Sequence, residues 1–251
     1  MSRIDRALTL LLLALTVPSL SAASDKRFDV KLLAGSSWQV KNDVQIPNSE
    51  LGTRFSLADT VGEGPLNALR LEVNWRINDK HGMRVMLAPL SYEEQIEFDE
   101  PVNFKGATFA AGTPTTAGYR FNSWRIGYHY TFTDNPQTTF RLGGTLKVRD
   151  AEIRLEQGTV VRADDDLGVV PLLHLATERR LGNGWFVGAD FDALAGGPGR
   201  AIDAGLTLGF EARNRWRAGA EFRVLEGGAD IDRLYNFAQF NSVSVFIGSR
   251  F

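Results

Sequence analysis

Apolar and polar residues alternate along most of this chain. Ten segments carry the pattern, near 30–40, 68–77, 83–92, 119–132, 139–148, 169–179, 185–193, 201–212, 216–225 and 240–251. Alternation with a period of two is the mark of a strand with one face toward an apolar medium and the other toward a polar one. In 68–77 the apolar set is Leu69, Leu71, Val73, Trp75 and Ile77; in 119–132 it is Trp124, Ile126, Tyr128, Tyr130 and Phe132. Each segment is near or slightly above the ~9–11 residues that a tilted strand needs to cross a bilayer. The connections alternate in length. Those at 78–82, 133–138, 181–184 and 213–215 are short, and each contains Asn, a residue tight turns favour. The others, 41–67, 93–118, 149–168, 194–200 and 226–239, are mostly longer. The pattern predicts an all-β fold: a closed antiparallel transmembrane β-barrel of about ten strands, with both termini on the short-turn side.

Aromatic residues sharpen this prediction. Trp75, Tyr130, Phe132, Phe140, Trp185, Trp216 and Phe251 all lie beside a short turn or the C-terminus, on the outward parity. They predict a girdle at one membrane interface, where an apolar ring with a polar edge is well placed. Trp38, Tyr92, Trp124 and Phe240 are assigned to a second girdle at the opposite interface. A soluble sandwich also alternates, but has no reason to gather outward Trp and Tyr at one level.

Two segments fit less well. Pro89 and Pro171 fall inside predicted strands, where each removes a ladder donor, so a bulge is expected at either. Segment 169–179 is apolar on both faces and leaves its inward face undefined. Segment 139–148 is read as extending through Ala151, Ile153 and Leu155, with a slip of parity near Asp150.

The N-terminus is read as a secretory signal peptide: basic Arg3 and Arg6, an apolar run over 7–17, then Pro18 and the small residues Ser21, Ala22 and Ala23. Its apolar core is too short to span a bilayer as a helix. Domains are therefore expected at 1–23, the signal peptide, and 24–251, the barrel. Removing residues 1–23 leaves 26 basic and 29 acidic residues, a net −3, which does not suggest nucleic acid. With no Cys there are no disulfides, so stability must come from the sheet.

The final segment ends Val243-Ser-Val245-Phe-Ile247-Gly-Ser249-Arg-Phe251. Together with the signal peptide and the hairpin rhythm, this terminal aromatic strand resembles small bacterial outer-membrane β-barrel proteins of the broad OmpA- or OmpW-like kind. The resemblance covers the mature chain in architecture, and no motif assigns a subfamily. It implies a place in the bacterial outer membrane, contact with outer-membrane lipid and lipopolysaccharide, and recognition of the C-terminal strand by the barrel assembly machinery.

The other parity is polar and carries the candidate chemistry. A lumen charge network is expected from Arg70, Glu72, Arg76, Arg125, His129, Arg141, Lys147, Asp203, Glu211, Arg217, Glu221 and Arg223. If the 213–215 turn pairs 212 with 216, Glu211 faces Arg217 and Thr207 faces Glu221. Inward Gly127, Gly143, Gly188, Gly205, Gly209, Gly219 and Gly248 leave room for long side chains. Ten strands enclose little more space than the eight-stranded barrels that side chains fill. The expected product is a non-enzymatic barrel with a plugged or narrow charged lumen, serving envelope integrity, surface interaction or slow passage of a small solute.

The alternative is a barrel enzyme acting on lipid or peptide. It needs His within reach of Ser or an acid. The three histidines are His81 in a short turn, His129 and His174, and none precedes the His-x-Ser motif of lipid A deacylases. Ser123 lies six strand residues, roughly 20 Å, from His129. Omptin-type proteases use Asp and His at the outer rim; here Asp164, Asp165, Asp166, Asp230 and Asp232 have no His beside them, and read as solvated loop charge. No catalytic residue, metal site or cofactor is assigned.

Overall fold

The computed structural model describes residues 27–197 and 199–251. The expected signal peptide at 1–23 lies outside the described residues. The elements run β1 (Phe28–Gln45), β2 (Phe55–Ser56), α1 (Leu57–Val61), β3 (Leu66–Arg76), β4 (His81–Ala88), β5 (Ser91–Ile96), β6 (Val102–Phe104), β7 (Ala107–Phe109), β8 (Thr115–Asp134), β9 (Thr138–Gln157), β10 (Val160–Gly182), β11 (Trp185–Gly196), β12 (Gly199–Glu211), β13 (Trp216–Ile231) and β14 (Leu234–Arg250). Consecutive antiparallel pairing runs β1-β3-β4-β8-β9-β10-β11-β12-β13-β14, and β14 pairs back with β1 from Asp29↔Arg250 to Gln45↔Tyr235. The barrel is closed with ten staves, which abolishes most of the free edge. β4 and β5 share one stave: both pair with β8, and Pro89 separates them. No helix of the described residues is long and apolar enough to cross a membrane.

The outer wall is apolar. Leu69, Val85, Ile126, Leu146, Leu173, Leu206, Val245 and Ile247 are all exposed there, a surface that is favourable only against lipid. At the short-turn end Trp75, Phe132, Phe140, Trp185, Trp216 and Phe251 are exposed on the same wall, and Tyr130 stands against Phe132 at 5.1 Å between centroids. Phe28 joins this ring at the seam, stacked on Trp75 at 6.3 Å and Phe251 at 5.9 Å.

Several expectations are corrected at the other end. Segments 149–168 and 226–239 are not loops. β9 and β10 stay in register out to Gln157↔Val160, and β13 and β14 out to Ile231↔Leu234. There is no slip of parity near Asp150: β8 and β9 pair without interruption from Thr116↔Glu156 to Thr131↔Arg141. Ile153 and Leu155 therefore face inward with Thr145 and Lys147. They are apolar because the interior itself changes there.

Above the membrane level the barrel is filled by an apolar plug of Val44, Ile46, Leu57, Ile96, Phe98, Phe104, Phe109, Tyr119, Leu155, Phe240 and neighbours. Tyr92 and Phe240, expected in an outer girdle, belong to this interior: Tyr119 stacks on both, at 5.5 and 5.9 Å. Trp38 remains on the outside, exposed. The parity change on β1 has a local cause. The β1–β14 register shifts between Gln39 and Lys41; this bulge turns Asn42 and Val44 inward, both fully buried.

Candidate functional site

The lumen below the plug is built from alternate positions of all ten staves. Strand alternation aims those side chains at the axis, and closure removes them from water, so each charge needs a partner. The pairing forms tiers. Nearest the mouth at the short-turn end, Arg250 donates to Asp29 at 2.9 Å, Glu211 at 2.9 Å and Glu178 at 3.0 Å. Arg217 donates to Asp29 at 2.8 Å and Glu178 at 2.5 Å, with its guanidinium 4.0 Å from the Phe186 ring centroid.

The central tier is centred on Arg223, which donates to Glu221 at 2.9 Å, Asp203 at 2.5 Å and Asp190 at 2.9 Å. Arg70 donates to Glu221 at 2.6 Å, and Lys31 reaches Glu72 at 3.3 Å. Asp203 also accepts from Arg125, which donates to Asp192 at 2.7 Å. Asp192 further accepts from Arg84 at 2.5 Å and Thr145 at 3.1 Å, and lies 2.8 Å from His174 Nδ1. Glu72, Asp190, Asp192, Asp203 and Glu221 thus face Lys31, Arg70, Arg84, Arg125 and Arg223. Five carboxylates against five cations leave the centre balanced, and a neutral cluster can be stable in a narrow lumen. Gly205 makes this geometry fit: a Cβ there would lie 2.6 Å from the Arg223 guanidinium and 2.7 Å from the Asp190 carboxylate.

Of the twelve expected lumen residues, Arg70, Glu72, Arg125, Asp203, Glu211, Arg217, Glu221 and Arg223 meet in these tiers. The expected register is present, with Glu211↔Arg217 and Thr207↔Glu221. Arg76 stands at the mouth beside Asp134 at 3.7 Å. His129 and Arg141 line a vestibule of about 550 Å³ at that mouth, with Arg27, Arg180 and Arg215. Lys147 is buried over the Phe121 ring, 4.5 Å from its centroid.

The expected set lacked Asp29, Lys31, Arg84, His174, Glu178, Asp190, Asp192 and Arg250, all members of these tiers. Arg84 had a signal, since it alternates with outward Met83, Val85 and Leu87. Glu178 and His174 were hidden because their segment is apolar on both faces; only the β9 and β10 register assigns Leu172, His174, Ala176 and Glu178 to the lumen side.

Of the five rim acids, Asp165 and Asp232 are exposed, as expected of solvated charge, and the other three have partners. Asp164 is buried and accepts from Lys105 at 2.7 Å and Arg233 at 2.9 Å. Asp166 accepts from Arg149, and Asp230 from Asn48 at 2.7 Å. In the plug, burial pushes the Tyr92 phenol above its ordinary pKa, although Gln39 and Asn42 hydrogen-bond to it.

The chain aligns over 93% of its length with 99% of the outer-membrane protease OmpT from Escherichia coli, at 10% identity and a TM-score of 0.53. The fold is that of a bacterial outer-membrane β-barrel. With its apolar outer wall, this barrel lies in the outer membrane. The translocator domain of the autotransporter NalP from Neisseria meningitidis is similar over 99% of this chain and 95% of its own, at 11% identity and a TM-score of 0.42. Ail, the attachment invasion locus protein of Yersinia pestis, is similar over 90% of this chain and 99% of its own, at 10% identity and a TM-score of 0.38. No protein-family model and no curated protein matches the sequence.

Proposed function

We propose that this outer-membrane barrel is non-enzymatic and sealed, and that it serves envelope integrity and surface interaction rather than passage of solute. One observation carries the reading: the lumen is obstructed twice in series. The charge tiers tie opposite walls together, as Arg125 on β8 does by bridging Asp192 on β11 and Asp203 on β12. The apolar plug closes the same bore above them. An ion would have to break buried pairs and then cross a dry aromatic layer, each at a cost of several kcal/mol.

Similarity to a protease at 10% identity brings the enzymatic alternative forward. The placement of the histidines weighs against it. His81 lies at the short-turn end, His129 in the vestibule and His174 inside the tiers, bonded to Asp192. The Thr145 hydroxyl nearest that pair donates to Asp192 rather than to the imidazole, so it is not activated as a nucleophile.

The test is single-channel recording in planar bilayers, alongside assays of peptide and lipid hydrolysis by the folded protein. The expected result is no steady conductance of porin size and no turnover. A large, steady conductance, or hydrolysis lost on His174→Gln, overturns the reading.

A further inference from the structure

The barrel wall has an incomplete seam. β10 pairs with β11 only from Leu173↔Ala193 down to Gly182↔Trp185, whereas residues 160–172 of β10 pair with β9 alone. Pro171 falls within this one-sided stretch, where a missing donor is tolerated. The gap begins eight residues above Trp185, about 20 Å up a tilted strand. That is the upper part of an apolar band ~25 Å tall. Higher up, Arg233 crosses the gap to Asp164 at 2.9 Å and roofs it. The result is a side window. Leu167, Val169 and Leu173 flank it with exposed apolar side chains, and Leu167 is 76% exposed.

Behind the window lies a cavity of about 300 Å³, the lower end of the range for ligand sites. Its walls are apolar or small in part, with Phe121 and Ile153 on one side and Leu194, Ala201 and Gly227 on the other; the charged groups that also line it are already paired, Arg149 with Asp166, Arg233 with Asp164, Arg200 with Glu226 and Glu152 with Arg120. At its base is Lys147, paired in register with Val170 at the window's edge. Lys147 is 3% exposed and has no hydrogen bond or ion pair among the described residues; its contact is the Phe121 ring. The nearest carboxylates are already held, Asp203 by Arg125 and Arg223 and Asp192 by Arg84, Arg125 and His174. A buried ammonium without a counter-ion carries a desolvation cost that an arriving anion would offset.

The geometry points to a lateral binding site for a single-chain amphiphile with a carboxylate head, a fatty acid in chemical class. The carboxylate pairs with Lys147, and the chain fills the small-residue cavity and leaves through the window toward the outer leaflet. One ammonium matches one negative charge, and a slot of this volume matches one chain. The site lies beside the charge tiers and beneath the plug's edge, and it stands whether or not the lumen conducts.

The experiment uses the full barrel in nanodiscs and a diazirine-bearing palmitate, with crosslinks mapped by mass spectrometry. Saturable labelling is expected in 194–201 and 227–231, displaced by palmitate but not by uncharged methyl palmitate. Lys147→Met should weaken binding about tenfold or more, the worth of a charge-assisted hydrogen bond. Ala201→Phe keeps the lysine, fills the slot and should abolish labelling, so it serves as the test if Lys147→Met fails to give a heat-modifiable barrel. Equal competition by methyl palmitate, undiminished binding by Lys147→Met, or labelling confined to the outer wall overturns the proposal. A diazirine phosphatidylglycerol that labels the same segments and resists palmitate also overturns it, in favour of a phosphate head.

Discussion

Arg70 on β3 donates to Glu221 on β13 at 2.6 Å, across a lumen whose wall places β1 and β14 between those two staves. Glu221 also accepts from Arg223 two residues along its own strand. The carboxylate is therefore a brace between staves that are not neighbours in the wall, with Arg70 as its partner across the lumen.

Removing that brace leaves two guanidinium groups short of one carboxylate. Glu221→Ala is expected to destabilise the folded barrel by about 3 kcal/mol or more, since breaking one side of a buried pair strands the other charge. Arg70→Met should cost less, and the double variant less than the sum. Reversible urea unfolding in detergent measures all three; strict additivity would refute direct coupling.

Gly205→Val should be among the most damaging single changes in the wall. Its side chain would enter space held by Arg223 and Asp190, and overpacking together with a broken ion cluster costs roughly 3 kcal/mol or more. Gly144→Ala is the control. A Cβ there meets only the Leu172 carbonyl oxygen at 3.8 Å, so stability should stay within about 0.5 kcal/mol of wild type.

Phe240→Ala opens the plug where Tyr119 stacks on the ring. A buried Phe→Ala change costs about 3–5 kcal/mol through lost burial and an unfilled cavity. Conductance is expected to remain negligible, because the charge tiers still obstruct the bore below. Channels appearing in Phe240→Ala alone would assign the whole seal to the plug.

Phe251→Ala separates assembly from folded stability. The backbone of Phe251 exchanges hydrogen bonds with Phe28 at 2.8 and 2.9 Å, so deleting the residue would also open the seam. The alanine variant keeps those bonds and removes only the exposed ring. Outer-membrane levels are expected to fall while heat modifiability of the protein that does insert is retained. Wild-type levels would count against recognition of the terminal aromatic by the assembly machinery.

Much of the wall was legible because a barrel strand in a bilayer obeys a strict period of two. Leu69 to Ile77 and Trp124 to Phe132 display their facing without knowledge of any neighbour. The short-turn aromatics and the Glu211–Arg217 register followed from the same rule. Pairing inside the lumen was not legible. Glu221 has Arg223 two residues along its own strand, and only closure of the ring brings Arg70 to it from 151 residues away. Nor could alternation distinguish a membrane wall from the stacked interior above it, so Ile153 and Leu155 read as a strand extension beyond a slip of parity that does not occur, and Phe240 as part of a girdle. Tertiary structure alone also ended β11 at Gly196 while carrying β9 and β10 much further, because strand length past the membrane depends on what the interior buries. The sequence by itself determined which residues face lipid and which face the bore wherever the alternation is strict, because facing there depends on backbone period alone; closure in three dimensions decided which charges meet, where the bore is sealed and where its wall is left open.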